Sequence, residues 1–355
     1  MIRPFALNDI PLVRRLQRTS AALAVEHILT HPRAPLWVAL TAPWPWAGTG
    51  VATYVLSEAG PGGPLAGFVQ LIKRASRPEA DILHIAPALE TADGGDSAGE
   101  AVWDRLLTHC TRAAGGHGLQ RIFASIPDGG PEEACLRTAG YSLYTREIIC
   151  RLAVVPQVRD VPPGFRPQLP QDSWALQRLY AHGTPRLVQQ AEGTVSGDVG
   201  SPTLSWWEPD RWQGIVWEPA GEVRGGVQIH AGRAGHWLRV WGVNTLASRE
   251  LRSLVEQGLR TIATGPNSKH GTLPIYATVR DYEIGLSSVL TGFGFAPYAD
   301  RARFVKHIVA IVRQPVLSAV AARELRQEVP LRSQPLRDSR ASAKQVRHST
   351  QEQAL

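Results

Sequence analysis

Apolar residues along the chain follow two spacings, one typical of helices and one typical of strands. Near the N-terminus, Leu12, Val13 and Leu16 fall on one face of a helix that Asp9 is expected to cap. Further on, short apolar runs bounded by Gly and Pro predict strands. In the first half the predicted strands cover residues 51–56, 67–73, 80–86, 121–126 and 144–152, with helices at residues 100–114 and 132–138.

A glycine-rich loop at residues 93–99 separates the third of these strands from the long helix. Strand, loop, helix and strand in this order form a βαβ unit, whose two strands lie parallel. The other strands are close enough in sequence to pair as antiparallel hairpins. The chain is therefore predicted to be α+β, with antiparallel hairpins that lead into one parallel pair.

Three landmarks of the first half recur, in the same order, in the second half. They are Arg3-Pro4 with Asp9, which recurs as Arg166-Pro167 with Asp172; residues 67–70, which recur as 225–228; and Gly140-Tyr141, which recurs as Gly294-Phe295. Matches in register at a nearly constant offset predict an internal duplication. The second copy then has its elements at residues 225–230, 237–243, 248–263, 274–279, 282–290 and 303–312.

The duplication divides the chain into four parts. We expect a first domain at residues 1–153, a proline-rich extended linker at 154–164 and a second domain at 165–313. Residues 314–355 contain no aromatic side chain and are dense in Arg, Ser and Gln. Such a segment buries too little apolar surface to offset the entropy of ordering, so it is predicted to be a disordered basic tail.

Composition narrows the class of protein further. At 43% hydrophobic and 19% charged residues the chain is globular, and its 355 residues suffice for two cores. The three cysteines are isolated and odd in number, which favours a reducing, cytoplasmic setting over a disulfide scaffold. We expect no signal peptide and no membrane. The net charge of +7 follows from an arginine-rich composition, which favours a coding bias over nucleic-acid binding.

The order of elements, the Ile-Arg-Pro opening and the strand that ends before a glycine loop resemble the GNAT superfamily of acyl-CoA N-acyltransferases. The family's phosphate-loop pattern, [Gln/Arg]-x-x-Gly-x-[Gly/Ala], is matched at Gly99 and Ala101 and fails at Asp96. Its Tyr-x-x-x-Gly-Phe pattern appears at residues 136–141, where Leu136 replaces the tyrosine. In the second copy, residues 244–250 contain no glycine and Leu290 takes the tyrosine's place. The resemblance implies two tandem GNAT-like domains, the first better preserved.

The resemblance also implies a reaction and a cofactor. A neutral amine would attack the thioester of acetyl-CoA directly, with no metal, while backbone amides stabilise the oxyanion. It places those donors at Ile85 and Ala86, beside the slot that two splayed parallel strands would open for pantetheine. A glycine loop that opens a helix can also cradle phosphate. The residues assigned to this role are Gly94, Gly95, Ser97, Gly99 and Ala101.

Candidate acid–base residues lie on the predicted strands. Asp81 resembles the position of a glutamate base in some members, and His84 has a suitable pKa range; each could equally be a strand-edge or packed side chain. Tyr144 is the candidate acid, although its recurrence as Tyr298 suits a structural role as well. Ser125 and Cys135 are open alternatives.

These features predict a cytoplasmic tandem N-acyltransferase, a monomer or homodimer, that binds acetyl-CoA in its first copy. Its acceptor would be an amine on a small molecule or peptide. The alternative is a catalytically silent GNAT-like module that binds a ligand or a protein. Tryptophans at residues 44–46 and 206–217 either wall an acceptor pocket or fill the gap between the copies.

Overall fold

A computed structural model describes residues 1–42, 44–48, 50–60, 63–74, 77–89, 97–156, 162–193, 212–264 and 273–308. Contacts divide the chain into Met1–Ala310 and Ile311–Leu355. The second unit, and with it the tail predicted at residues 314–355, lies outside the described residues. So do residues 157–161 of the predicted linker.

The first half contains seven strands and five helices within the described ranges. The strands are β1 (Ile2–Pro4), β2 (Ala21–Ala22), β3 (Val51–Gly60), β4 (Gly63–Lys73), β5 (Glu79–Ala86), β6 (Arg121–Pro127) and β7 (Ser142–Leu152). The helices are α1 (Ile10–Leu16), α2 (Val25–Thr30), α3 (Pro35–Thr41), α4 (Ser97–Gly116) and α5 (Glu132–Thr138).

The described part of the second half repeats most of this order. Its strands are β8 (Phe165–Pro167), β9 (Trp212–Trp217), β10 (Gly225–Ala231), β11 (His236–Trp241), β12 (Ile275–Arg280) and β13 (Ala296–His307). Its helices are α6 (Ser173–Gly183), α7 (Arg186–Glu192), α8 (Ser248–Thr264) and α9 (Leu286–Gly292). The mixed α+β class predicted from the sequence is confirmed, with parallel pairing only for β5–β6 and β11–β12 in the described sheet.

All of these strands form one sheet, in the order β1-β3-β4-β5-β6-β13-β7-β12-β11-β10-β9-β8, with β2 added beside β5. The last strand of each half crosses to the other half. Strand β13 pairs along its length with β6, and β7 pairs with β12. The two exchanged strands also pair with each other, antiparallel. The halves are therefore joined by hydrogen-bonded backbone as well as by the linker.

The repeated Arg-Pro-Asp landmark builds the same clamp twice. Arg3 donates to both carboxylate oxygens of Asp9 at 2.6 Å, and Arg166 does the same to Asp172 at 2.7 and 2.8 Å. Each carboxylate also accepts a backbone amide three residues earlier. The guanidinium holds the pKa of Asp172 below its usual value. The sequence predicts that Asp9 caps α1. In the structure its carboxylate makes no cap hydrogen bond to α1 and instead binds Arg3 of β1 and the Ala6 amide.

Each half has its own hydrophobic core, and each core borrows from the other half. The first packs α4 against the sheet around Trp103, Leu106 and Cys110, and it includes Ala302 and Phe304 of β13. The second packs α8 around Leu254 and Leu259. It includes Cys150 and Leu152, which belong to β7. The exchanged strands thus complete both cores.

Candidate functional site

Two wedges interrupt the sheet, one in each half. Strands β5 and β6 pair only at residues 79–81 with 121–123, and β11 and β12 only at residues 236–238 with 275–277. Beyond these points the parallel strands diverge while each continues. We call the gap beyond Asp81 the first wedge and the gap beyond Leu238 the second wedge.

The first wedge is filled by the chain itself. Residues 19–23, which we call the plug, run antiparallel to β5, with Ala21 and Ala22 opposite Ile85 and His84. The Leu23 amide donates to the Leu83 carbonyl at 2.9 Å. A bulge in the register between β4 and β5 leaves Leu83 without a partner on β4, which turns it toward the plug.

Two further backbone bonds anchor the ends of the plug. The Ala88 amide donates to the Thr19 carbonyl at 2.5 Å, and the Ser125 amide of β6 donates to the Leu23 carbonyl at 2.9 Å. A cavity of about 10 Å³ remains beside Leu23, Glu26 and Ser125, which is near the lower limit for one water molecule. The plug therefore joins β5 to β6 as an inserted strand.

The second wedge has no such strand among the described residues. Only Thr184 and Pro185 connect α6 to α7, whereas residues 20–24 form the corresponding connection in the first half. Two residues are too few for an extended segment, and Pro185 has no amide hydrogen to donate. The His236 amide donates to the Pro274 carbonyl at 2.9 Å. The two-residue alternation along β11 then directs the Val240 amide into the wedge.

Among the described residues, side chains occupy the second wedge where the first wedge holds an inserted strand. A narrow pocket of about 20 Å³ lies between Arg239–Gly242 on one side and Tyr180 and Tyr282 on the other. Arg280 Nη1 donates to the Tyr282 hydroxyl at 2.7 Å. Burial raises the pKa of Tyr282, with Arg280 opposing, so the hydroxyl keeps its proton.

A buried ion pair fixes the wall behind this pocket. The Tyr180 hydroxyl donates to Glu192 at 2.6 Å, and Arg280 Nη2 donates to the other carboxylate oxygen. Burial alone would raise the pKa of Glu192, but Arg280 and Arg239 outweigh it and lower the pKa to about 2. The carboxylate is therefore ionised and holds Arg280 against Tyr282.

A larger cavity, of about 420 Å³, lies beside the stretch where the exchanged strands β7 and β13 pair, at residues 146–148 and 300–301. We call it the crossing cavity. Its polar lining consists of Asp128, Arg146, Glu147, Arg280, Asp281, Glu283, Ser287, Asp300 and Arg301. Both halves contribute, because the strand exchange brings the ends of β6 and β12 to the same place. Glu283 lines this crossing cavity and the second-wedge pocket as well.

Glu283 is placed to act between these two spaces. One carboxylate oxygen accepts the Arg280 amide at 2.9 Å. Burial raises the pKa of the Glu283 carboxyl, while Arg280 and Arg239 oppose the rise. A carboxylate whose pKa lies above the usual range is a better proton acceptor than an exposed one. Glu283 thus lies at the junction of the wedge and the cavity, and Tyr282, the residue before it, lines the wedge side.

Asp81, the first base candidate, is engaged in a buried ion pair. Its two carboxylate oxygens accept from Arg74 Nε and Nη2, each at 2.7 Å, and Arg74 is 1% exposed. Arg74 also donates to Glu79 at 3.1 Å and lies 3.8 Å above the Phe123 ring. The strand position of Asp81 is as predicted, but its contacts are those of a structural anchor under β5.

Of the other two acid–base candidates, His84 is buried and Tyr144 is half-buried. His84 faces the plug, and burial lowers its pKa to about 4. Tyr144 packs its ring 6.1 Å from Phe123, and burial raises its pKa to about 12. Tyr298, its predicted echo, packs instead on Tyr276 and is 49% exposed. These two tyrosines therefore do not share one environment.

The predicted cofactor residues divide into three groups. Ile85 lies opposite Ala21 and Ala86 opposite Phe68, so both are flanked by backbone within the sheet. Gly94 and Gly95 lie outside the described residues. Ser97, Gly99 and Ala101 lie in the first turns of α4, where a phosphate loop would lead into the helix.

The open alternatives fall elsewhere. The Ser125 hydroxyl accepts from Arg301 Nε at 3.3 Å. Burial raises the pKa of Cys135 to about 11, which keeps the thiol protonated. Trp46 packs on the first core and donates to Tyr54 at 3.1 Å, and Trp212 stacks on His230 at 4.9 Å. Residues 206–211 lie outside the described part.

Sequence reasoning missed Tyr282 and Glu283. The available signal was their position: two polar residues that follow the carboxyl end of β12 with only Asp281 between. Ligands in sheets with parallel strands bind at that end, where strands diverge.

Within the described ranges, no helix is long and apolar enough to cross a membrane, and no group of three or more His, Cys, Asp or Glu could hold a metal ion.

Solved structures resemble this chain over most of its length. A GCN5-related N-acetyltransferase from Sphaerobacter thermophilus superposes with a TM-score of 0.50 at 15% identity, covering 87% of this chain and 95% of its own. The chain has the GNAT fold.

Two weaker likenesses lie below a TM-score of 0.5. A tandem GNAT protein from the clavulanic acid biosynthesis pathway reaches 0.47 at 15% identity, covering 87% of this chain and 98% of that one. A GCN5-related N-acetyltransferase from Kribbella flavida reaches 0.42 at 15% identity, covering 71% and 89%. No family model and no curated protein matches the sequence. At these identities the likeness extends to the GNAT fold and no further.

Proposed function

We propose that this protein is an N-acyltransferase that binds acyl-CoA, for example acetyl-CoA, in the second wedge and an amine acceptor in the crossing cavity. One observation carries the proposal: Glu283 lines both spaces, and its neighbour Tyr282 lines the second-wedge pocket. The first half, whose better-preserved motifs pointed to it as the cofactor domain, would serve as a structural partner.

The second wedge fits an acyl-CoA arm better than the first does. Backbone amides such as that of Val240 can pair with the amide groups of pantetheine, as a strand would. The pocket is narrow, so binding would require the side chain of Tyr180 to rotate, while Tyr282 stays on Arg280. Side-chain rotation costs less than withdrawal of a hydrogen-bonded strand, which the plug would require in the first wedge.

Acetyl-CoA supplies a thioester that a neutral amine can attack. The Glu283 carboxylate would take the proton that the amine must lose as the new C–N bond forms. The crossing cavity would hold the amine beside it, screened from water by Ile148 and Val279, which share its lining. The proton therefore moves from the acceptor nitrogen to the free oxygen of Glu283.

Tyr282 would serve the leaving group. Its hydroxyl accepts from Arg280, so its own proton remains available to the thiolate sulfur as the C–S bond breaks. The cationic Arg280 would stabilise the tyrosine as this proton leaves. Glu192 holds Arg280 in place from behind.

The test measures thiol release from acetyl-CoA with a panel of amines. We expect Glu283→Gln to lower kcat/KM about a hundredfold or more, with little change in the affinity for acetyl-CoA. Tyr282→Phe should lower kcat about tenfold or more. The loss of kcat should be larger with weakly nucleophilic amines than with strongly nucleophilic ones. Glu133→Gln and Tyr298→Phe, conservative changes at side chains outside both spaces, serve as matched controls.

The alternative is a catalytically silent module, and specific observations favour it. The first wedge is filled, and residues 244–250, which lead into α8, contain no glycine to cradle a diphosphate. Isothermal titration decides between the two: absence of heat with millimolar acetyl-CoA would leave the silent module as the better account. Binding without thiol release above background for any amine would point the same way.

A further inference from the structure

The plug in the first wedge is held from outside its own half. Arg301, on the exchanged strand β13, donates from Nη2 to the Ala22 carbonyl of the plug at 3.1 Å. The same nitrogen donates to the Ser125 carbonyl of β6, and Nε reaches the Ser125 hydroxyl at 3.3 Å. One guanidinium therefore bridges the plug and the strand beside it.

The partners of Arg301 are unusual for a largely buried arginine. Within the described ranges it donates to carbonyl and hydroxyl oxygens, and no carboxylate forms an ion pair with it. Burial lowers the pKa of Arg301 to about 10, the direction expected when desolvation is incompletely compensated. A buried cation on neutral oxygens is held less firmly than one in a bidentate ion pair, such as Arg74 with Asp81.

The plug itself has the features of a removable occupant. Its regular strand is two residues long, Ala21 and Ala22. At its ends, three backbone hydrogen bonds hold it, and their donors are the amides of Leu23, Ala88 and Ser125. Short strands contribute little independent stability. Its extended backbone occupies the position between β5 and β6 that the second wedge leaves to side chains.

We propose that the plug is a removable closure of the first wedge, latched by Arg301 from the exchanged strand, so that release of Arg301 opens the slot between β5 and β6. The choice of acyl-CoA as the molecule that can then enter rests on the proposed function; the latch rests only on the contacts of Arg301. Because the latch is carried by β13, the state of the first wedge depends on the strand that the second half contributes.

The test combines hydrogen exchange with binding stoichiometry on the full chain. In Arg301→Gln we expect the amides of Leu23, Ala88 and Ser125 to exchange about tenfold faster, as loss of one charged hydrogen-bonding group predicts. Acetyl-CoA bound at saturation should rise from about one to about two molecules per chain, one for each wedge. Arg301→Lys, which keeps the charge and the stem, should give an intermediate result.

Two further variants keep the result interpretable. Arg178→Gln alters an exposed arginine of α6 that pairs with Glu222 and lines neither proposed binding space, so it should leave exchange and stoichiometry unchanged. Ala21→Pro weakens the pairing with β5 without altering Arg301, and it should release the plug even if Arg301→Gln fails to fold.

Three outcomes would count against the inference. Unchanged exchange at all three amides in both Arg301→Gln and Ala21→Pro would overturn the latch. Two equivalents bound by the unaltered protein would show that the plug is no barrier. Faster exchange with no acetyl-CoA bound by any variant would refute the ligand, and with it the proposed function, while the latch would stand.

Discussion

At the scale of single residues, burial rather than sequence motif decides what each titratable group can do. His84 shows this most clearly, because its imidazole is buried at the edge of the plug and its pKa falls from 6.5 to about 4. A histidine in an unfolded chain binds its proton near pH 6.5, so between pH 6.5 and 4 the unfolded state binds more protons than the folded state. Protonation there favours unfolding.

The consequence is a loss of stability on acidification that belongs to His84. Since one pKa unit corresponds to about 1.4 kcal/mol, the free energy of unfolding should fall by about 3 kcal/mol from this group as pH drops from 6.5 to 4. His84→Met should remove this part of the slope. Urea titrations across that range measure it, and His182→Met, at an exposed position of α6, is the control. An identical slope in His84→Met would contradict the assignment.

Asp81 gives the second residue-scale prediction. Because both its oxygens bind the buried Arg74, Asp81→Asn should lower the free energy of unfolding by about 3–5 kcal/mol. Asp128→Asn breaks an exposed pair with Arg146 and should cost less than about 1 kcal/mol. If Asp81 is an anchor, the rate of thiol release per folded molecule stays near that of the unaltered protein. A large loss of rate with unchanged stability would return it to the role of base.

At the scale of elements, the two halves repeat their turns more faithfully than their sites. Gly140 and Gly294 both follow a short helix with positive φ, 78° and 90°, and the next residue donates back to Leu136 or Leu290. Only glycine adopts this conformation without strain. The turn sets the direction of the following strand in each half.

Gly294→Ala should therefore lower the free energy of unfolding by about 1 kcal/mol. The strain is conformational, since the nearest atom to the added methyl would be a Leu152 carbon at 3.6 Å. Gly292→Ala, at the end of α9 without positive φ, is the matched control and should be neutral or slightly stabilising. Equal effects from the two changes would argue against the turn.

Element by element, the sequence predicted most strands and the long helices because they carry a strong periodic pattern. It singled out Arg3 and Asp9 with their counterparts Arg166 and Asp172 because they recur at one offset, but it expected Asp9 to cap α1 and did not predict the two ion pairs. The plug could not be predicted, since Ala21 and Ala22 have no strand propensity and acquire their conformation from the edges of β5 and β6. Tyr282 and Glu283 were missed for a similar reason: their neighbours on the other side of the junction are more than a hundred residues away in the chain.

At the scale of the whole molecule, the strand exchange should make the two halves unfold together. Phe304 of β13 is fully buried in the first core, although its strand follows the second half. Phe304→Ala should lower the free energy of unfolding by about 3–5 kcal/mol. Leu152→Ala, the matched change on β7 in the second core, should cost about 2–5 kcal/mol.

Both variants should keep a single transition in urea, followed by tryptophan fluorescence and by circular dichroism. Trp103 reports on the first core and Trp237 on the second half, and both are buried. Two separated transitions in either variant, one for each half, would contradict the coupling that the exchanged strands impose.

The exchange has a further consequence for biosynthesis. Strand β6 ends at Pro127, yet its neighbour β13 begins only at Ala296. At roughly 5–20 residues per second, a ribosome needs on the order of 10–30 s to make the intervening chain. Throughout that interval the nascent first half exposes an unpaired apolar edge, and it must be kept from aggregating until β13 has been made.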